Sequence, residues 1–153
     1  MITEPSCSRL LAVVRAELQS TVVPAVSDAG VIAALGMIDS ILANVGARCD
    51  HEIAWMREEI ADIEAVADEV VAAGADPESR VSAALDALRA HRSPSDHTAD
   101  VRTEYDHAGE VLSRALEATL PRMDTLRPRV RSVLERRLSR EIEIRGDFTV
   151  VGR

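Results

Sequence analysis

Apolar residues return at three- and four-residue steps along almost the whole chain, the spacing that lines one face of an α-helix. Leu11, Val14, Leu18 and Val22 set the first stripe, which predicts an amphipathic helix over Pro5–Val22 closed by Val23-Pro24. Ser27-Asp28 then offers a fresh N-cap. From Val31 the rhythm runs through Leu35, Ile38, Leu42, Val45, Cys49, Ile53, Met56, Ile60, Ile63 and Ala67 to Val70, with one four-four step at Val45, Cys49 and Ile53. No proline interrupts residues 28–73, so they can form a single helix about 68 Å long at 1.5 Å per residue. Gly36 and Gly46 each cost ~1 kcal/mol relative to alanine in a helix interior, and one bent helix and two stacked helices both fit the pattern.

The later boundaries carry their own punctuation. "AAGADPESRV" reads as a terminal glycine, an Asp76 cap and Pro77 at the first helical position, opening a helix through Val81, Leu85 and Leu88 to about Ala90. After the polar turn "HRSPSDH", in which Asp96 is expected to cap, Val101, Tyr105, Ala108, Leu112, Ala115 and Thr119 mark a helix from Thr98 that Leu120-Pro121 ends or bends. A last helix runs from about Thr125 through Val130, Leu134 and Leu138 to Glu143, with Pro128 in its first turn. The stripe then stops, and residues 145–153 read as a turn followed by a short extended arm carrying Phe148, Val150 and Val151. The expectation is one all-α bundle domain of about five helices over residues 1–144, with 145–153 as an apolar tail.

Composition reinforces the class. Only Trp55, Tyr105 and Phe148 are aromatic among 153 residues, and Ala, Val and Leu dominate, which favours closely packed helices over a sheet sandwich. Unbroken apolar runs are short and the first residues lack a basic-then-apolar layout, so a cytoplasmic chain with neither membrane span nor export signal is expected. Cys7 and Cys49 belong to no paired motif; Cys49 continues the apolar stripe and is expected to pack in the core.

Charge is segregated along the chain. Residues 50–69 hold eight acids and one arginine, whereas residues 122–140 hold seven arginines and two acids. Two such faces can lie side by side and neutralise each other, each exposed pair contributing no more than ~1 kcal/mol. Alternatively one of them steers an oppositely charged partner, with Arg129 and Arg136 as contacts. A net charge of -8 and the lack of aromatics among the arginines argue against nucleic acid.

Catalytic equipment is sparse. Glu104 and His107 have the Glu-x-x-His spacing of dimetal bundles, but those sites need a second copy from another helix. His51, His91 and His97 follow Arg48, Leu88 and Pro94 at that spacing, so a metal would have to be assembled by Glu104, His107 and His51 from separate helices. Both Glu104 and His107 flank the core stripe, where exposure is expected. The Asp-His dipeptides at 50, 96 and 106 do not form local acid-base pairs, because neighbouring helical residues point about 100° apart. No nucleophile elbow or phosphate-cradling glycine loop occurs, so no catalytic residue and no cofactor are assigned.

The segment "LLAVVRAELQSTVVPAV", residues 10 to 26, followed by "IDSIL", resembles the opening of a family of small helical bacterial proteins encoded beside aminoglycoside-phosphotransferase-like kinases and acyl-CoA dehydrogenases. The likeness covers about the first 45 residues at most. In a levulinic-acid catabolic system, such a protein works with a kinase-like subunit that phosphorylates a hydroxyacyl-CoA. The resemblance implies an accessory role and a phosphotransferase-like or acyl-CoA-processing partner. The expectation is therefore a non-catalytic interaction subunit in a homo- or hetero-oligomer, contacting its partner through helix faces, Trp55 and the Phe148, Val150, Val151 arm. A metal-dependent bundle enzyme and a self-associating structural protein are the alternatives.

Overall fold

The computed structural model describes residues 4–121 and 125–145, and every regular element among them is helical. Five α-helices follow in order: α1 (Cys7–Glu17), α2 (Ala29–Ala72), α3 (Arg80–Ala90), α4 (Thr98–Thr119) and α5 (Leu126–Arg145). The all-α expectation with one long helix holds. Within the expected 28–73 span, Ala29–Ala72 form one helix instead of two, and a Cβ placed on Gly36 or Gly46 would meet open space, so neither glycine serves a close approach or a break. The arm proposed for Phe148, Val150 and Val151 lies outside the described residues.

Local signals explain most of the ends. Ser6 Oγ accepts from the Arg9 amide at 3.3 Å to start α1. That helix widens into a π-helical turn over Leu18–Val22 and a 3₁₀ turn over Val23–Ala25, where Pro24 brings no amide to continue it. Asp28 Oδ1 accepts from the Val31 amide at 2.9 Å and opens α2 as the sequence implied. At the far end Gly74 adopts φ +64, and the amides of Gly74 and Ala75 reach back to the carbonyls of Val71 and Val70 at 3.0 Å each. This is the glycine-terminated closure that satisfies two last-turn carbonyls.

Two starts differ from expectation. α3 begins at Arg80 and not at Pro77, because residues 77–79 form a turn and Asp76 caps across it. Its carboxylate accepts from the Val81 amide at 3.1 Å and from the Ser82 amide and hydroxyl at 2.9 and 2.8 Å. Burial pushes this carboxyl up, but the bonds from Ser82, Val81 and Arg80 outweigh it and leave it below the usual aspartate range. Asp96 does not cap α4. His97 holds the N-cap position without a side-chain bond, and Asp96 lies 3.8 Å from the Arg57 guanidinium instead.

The chain divides into two compact units: residues up to Glu52 with those from Ile142 onward, and Ile53–Glu141. The second unit holds the core. Ile60, Ile63, Val66 and Val70 of α2 meet Val81, Leu85 and Leu88 of α3, with Val111, Leu112, Ala115, Val130 and Val133 from α4 and α5 in the same cluster. Each fully buried side chain of this kind contributes roughly 1.5–3 kcal/mol relative to exposure. α5 runs antiparallel to the last part of α2, and the segregated charges meet there: Arg129 with Glu69 at 2.6 Å, Arg136 with Asp62 at 2.8 Å, Arg137 with Glu59 at 2.5 Å and Arg140 with Glu58 at 2.5 Å. The acidic and basic segments therefore neutralise each other as the sequence allowed.

The first unit has no such core: none of its described residues is buried. Its two helices are bridged by a forked ion pair, Arg15 Nε and Nη2 to the two Asp39 oxygens at 2.8 and 3.1 Å. The Arg15 hydrogen bond holds the Asp39 carboxyl below its usual range. Asn44 Nδ2 also donates to the Ile144 carbonyl at 3.3 Å.

Candidate interaction surface

Large apolar side chains are exposed in one region above all. In α1, Leu10, Val13 and Val14 share a face at helical spacing and are each more than half exposed. In α2, Val31, Ala34, Ile38, Ile41 and Val45 lie within about 80° of one another around the axis and all are exposed, Ile41 at 62%. A stripe of this order, on α1 and on the part of α2 up to Glu52 where no described residue is buried, is a large exposed apolar surface. The sequence-level signal was present but misassigned. The stripe from Val31 to Val70 is continuous, yet only its second part is covered, because periodicity states which residues share a face and not what that face meets.

Cys49 illustrates the point as a correction: it is exposed, not packed in the core, and Cys7 is exposed as well. At about 100° per residue Cys49 shares the angular position of exposed Val31 and buried Ala67, so its exposure follows from what covers that part of the helix and not from its place on the stripe.

The metal candidates resolve differently. Glu104 is 2% exposed, against the expectation that it would face solvent, and it is held by charge: Arg57 Nη1 at 2.5 Å, the Ser93 amide at 3.3 Å and Arg92 Nε at 3.9 Å. Arg57 also donates to the Ser93 and Ser95 carbonyls at 2.9 and 2.5 Å, pinning the turn before α4. Sequence reasoning passed over this pair. Arg57 as the one arginine in an acidic stretch was the available hint. His107 is half-buried and its ring stacks on His91 with centroids 4.0 Å apart. His51 is exposed and belongs to the first unit. Among the described residues no three His, Cys, Asp or Glu side chains gather as a metal site.

A cleft of about 560 Å³ opens over Arg57, Glu64, Arg92 and Glu104. Its charges are already paired, Arg92 with Glu64 and Arg57 with Glu104, so the cleft presents few uncommitted polar groups to a ligand. Nearby, Glu59 is buried between the Tyr105 hydroxyl at 3.1 Å and Arg137. Burial and the Glu59 charge push the Tyr105 hydroxyl above its ordinary range. Of the expected partner contacts, Arg129 and Arg136 are engaged in the ladder described above, and Trp55 is half-buried with the Arg140 guanidinium 5.7 Å from its ring centre.

The hydropathy of α2 adds a finding that run length had concealed. It contains an 18-residue stretch, with none of it buried, that is apolar enough and long enough to cross a membrane by length and composition. Comparison with protein-family models, with characterised proteins and with solved structures finds no match to this chain.

Proposed function

We propose that the protein is a non-catalytic interaction subunit whose N-terminal helical pair docks on another polypeptide. The observation that carries this reading is the concentration of exposed Leu, Val, Ile and Met side chains on α1 and the first part of α2, whereas the second unit buries its own stripe. The internal pairing of the charged groups around Glu59 and Glu104 supports a structural use for them in place of acid-base chemistry. The resemblance of residues 10 to 26 suggests a phosphotransferase-like or acyl-CoA-processing enzyme among the polypeptides that could be met, in the cytoplasm.

The apolar stretch of α2 also favours a second reading, insertion in a lipid bilayer. Against it, α1 is only 11 residues long and the stretch carries Asp39 tied to Arg15, both of which suit a wet protein interface better than hydrocarbon. The deciding experiment measures the mass of the purified full chain, and of material recovered from its own cells, before and after Val13→Glu with Ile41→Glu. Loss of every larger species with far-ultraviolet circular dichroism unchanged is expected. Retention of those species would remove the helical pair as the docking element, and flotation of the wild type alone with lipid vesicles would replace the protein partner with a membrane.

A further inference from the structure

Helix α5 is held in two different ways along its length. Its first part is held by burial: Leu126, Val130 and Val133 are buried, and Leu134 packs against the same cluster. Beyond Leu134 no described residue of α5 is buried, and Leu138 and Ile142 are each more than half exposed. Removal of apolar surface from water, the main source of helix attachment, therefore stops there.

Charge takes over where burial stops. Arg136 meets Asp62 at 2.8 Å, Arg137 meets Glu59 at 2.5 Å and Arg140 meets Glu58 at 2.5 Å. The three differ in their response to salt. Arg136, Asp62 and Glu58 are exposed, so mobile ions screen their pairs, whereas Glu59 is buried and its pair with Arg137 is sheltered. Past Glu141 the helix continues into the first unit, where Asn44 Nδ2 donates to the Ile144 carbonyl at 3.3 Å. That bond is neutral and long, a weak anchor by itself.

The charged segment also covers something. The Arg137 guanidinium stands 5.4 Å from the Tyr105 ring centre, and Arg140 stands 5.7 Å from that of Trp55 and donates to the Trp55 carbonyl at 3.0 Å. Trp55 and Tyr105 are the only Trp and Tyr of the chain. One turn of α5 lies over both.

We infer that residues 135–141 of α5 form an ionic strap, which lifts from α2 as ionic strength rises while the buried cluster under Leu126–Leu134 stays closed. Lifting is a local opening of the least buried part of the unit. It uncovers Trp55 and Tyr105 beside Glu58, Glu59 and Asp62, so that salt controls access to an acidic and aromatic surface. The inference does not depend on what the N-terminal helices meet.

Amide hydrogen exchange of the full chain, read together with the emission of its single tryptophan, tests this directly. From about 0.01 M to about 1 M salt the screening length falls from about 30 to about 3 Å. Residues 135–141 are expected to lose about fivefold in protection over that range, the size set by two exposed pairs, with Trp55 emission moving to longer wavelength. Residues 126–134 should keep their protection. Arg136→Gln with Arg140→Gln should show the lowered protection already in low salt and respond little to more, whereas Arg131→Gln, whose partner Glu135 lies on α5 itself, should behave as the wild type. Protection at 135–141 that ignores salt, or that falls in step with 126–134, would overturn the strap. An equal loss in Arg131→Gln would also overturn it, by assigning the effect to the total charge of the helix.

Discussion

The two units are built from the same material, amphipathic helix rich in Val, Ile, Leu and Ala, and use it in opposite ways. In Ile53–Glu141 the stripe is sealed, with Ile63 at 1% exposure, and arginines of α5 answer the acids of α2 along its length. In the residues up to Glu52 the stripe stays open and one ion pair, Arg15 with Asp39, joins the helices. Charge distribution separates the two. Acids become frequent only from Asp50, so the earlier part of α2 has little to keep a neighbour away and the later part has a ladder of sites that specify one. A protein whose second unit closes itself can leave its first unit open without unfolding.

That contrast can be broken most sharply in the core. Leu88→Ala removes a fully buried side chain and is expected to cost about 3 kcal/mol in urea unfolding, while Ile41→Ala, truncating an exposed one, is expected to stay within about 0.5 kcal/mol when both are measured at matched low concentration. Similar losses at the two positions would mean that the first unit is as tightly covered as the second.

A smaller effect is expected at the buried ion pair. Arg57→Ala strips Glu104 of its nearest cation and frees the Ser93 and Ser95 carbonyls, a loss of about 2 kcal/mol, below the usual cost of breaking a buried pair because Arg57 is partly exposed and Arg92 stays close. A double-mutant cycle with Glu104→Gln checks this: the two changes together should cost clearly less than their sum. Additive losses would show that the two side chains act independently.

The smallest is at the turn into α3. Asp76→Ala is expected to cost about 1 kcal/mol at pH 7, the usual size of a lost helix cap. The folded Asp76 carboxyl lies below the usual aspartate value of 3.8, so its stabilisation is present above the unfolded value and is lost as pH falls through the lowered folded one. Stability curves of wild type and variant should thus converge in acid. A gap that persisted unchanged to low pH would assign the effect to something other than the carboxylate.

Much of the fold was legible because it rests on local chemistry. Asp28, Gly74 and the repeats of α4 act over a few residues, and the sequence shows all of the parts. Asp76 was legible as a cap but not as one reaching over a three-residue turn. Glu104 was misjudged since a periodic pattern scores glutamate as polar, whereas its burial depends on an arginine from another helix, and no local rule brings those two together. The same limit applies to the candidate surface. Val31, Ile38 and Val45 repeat as regularly as Ile60, Ile63 and Ala67, and only the positions of α3, α4 and α5 distinguish an open stripe from a closed one.

The continuity of α2 across Glu52 and Ile53 has a thermodynamic consequence for the proposed recruitment. Starting a helix is unfavourable and lengthening one is not, so the anchored turns after Ile53 act as a seed from which the exposed turns before Glu52 are templated. In the docking role proposed above, a rod already formed when its companion arrives would surrender little backbone entropy on contact, and a modest greasy strip would then be sufficient for a durable grip.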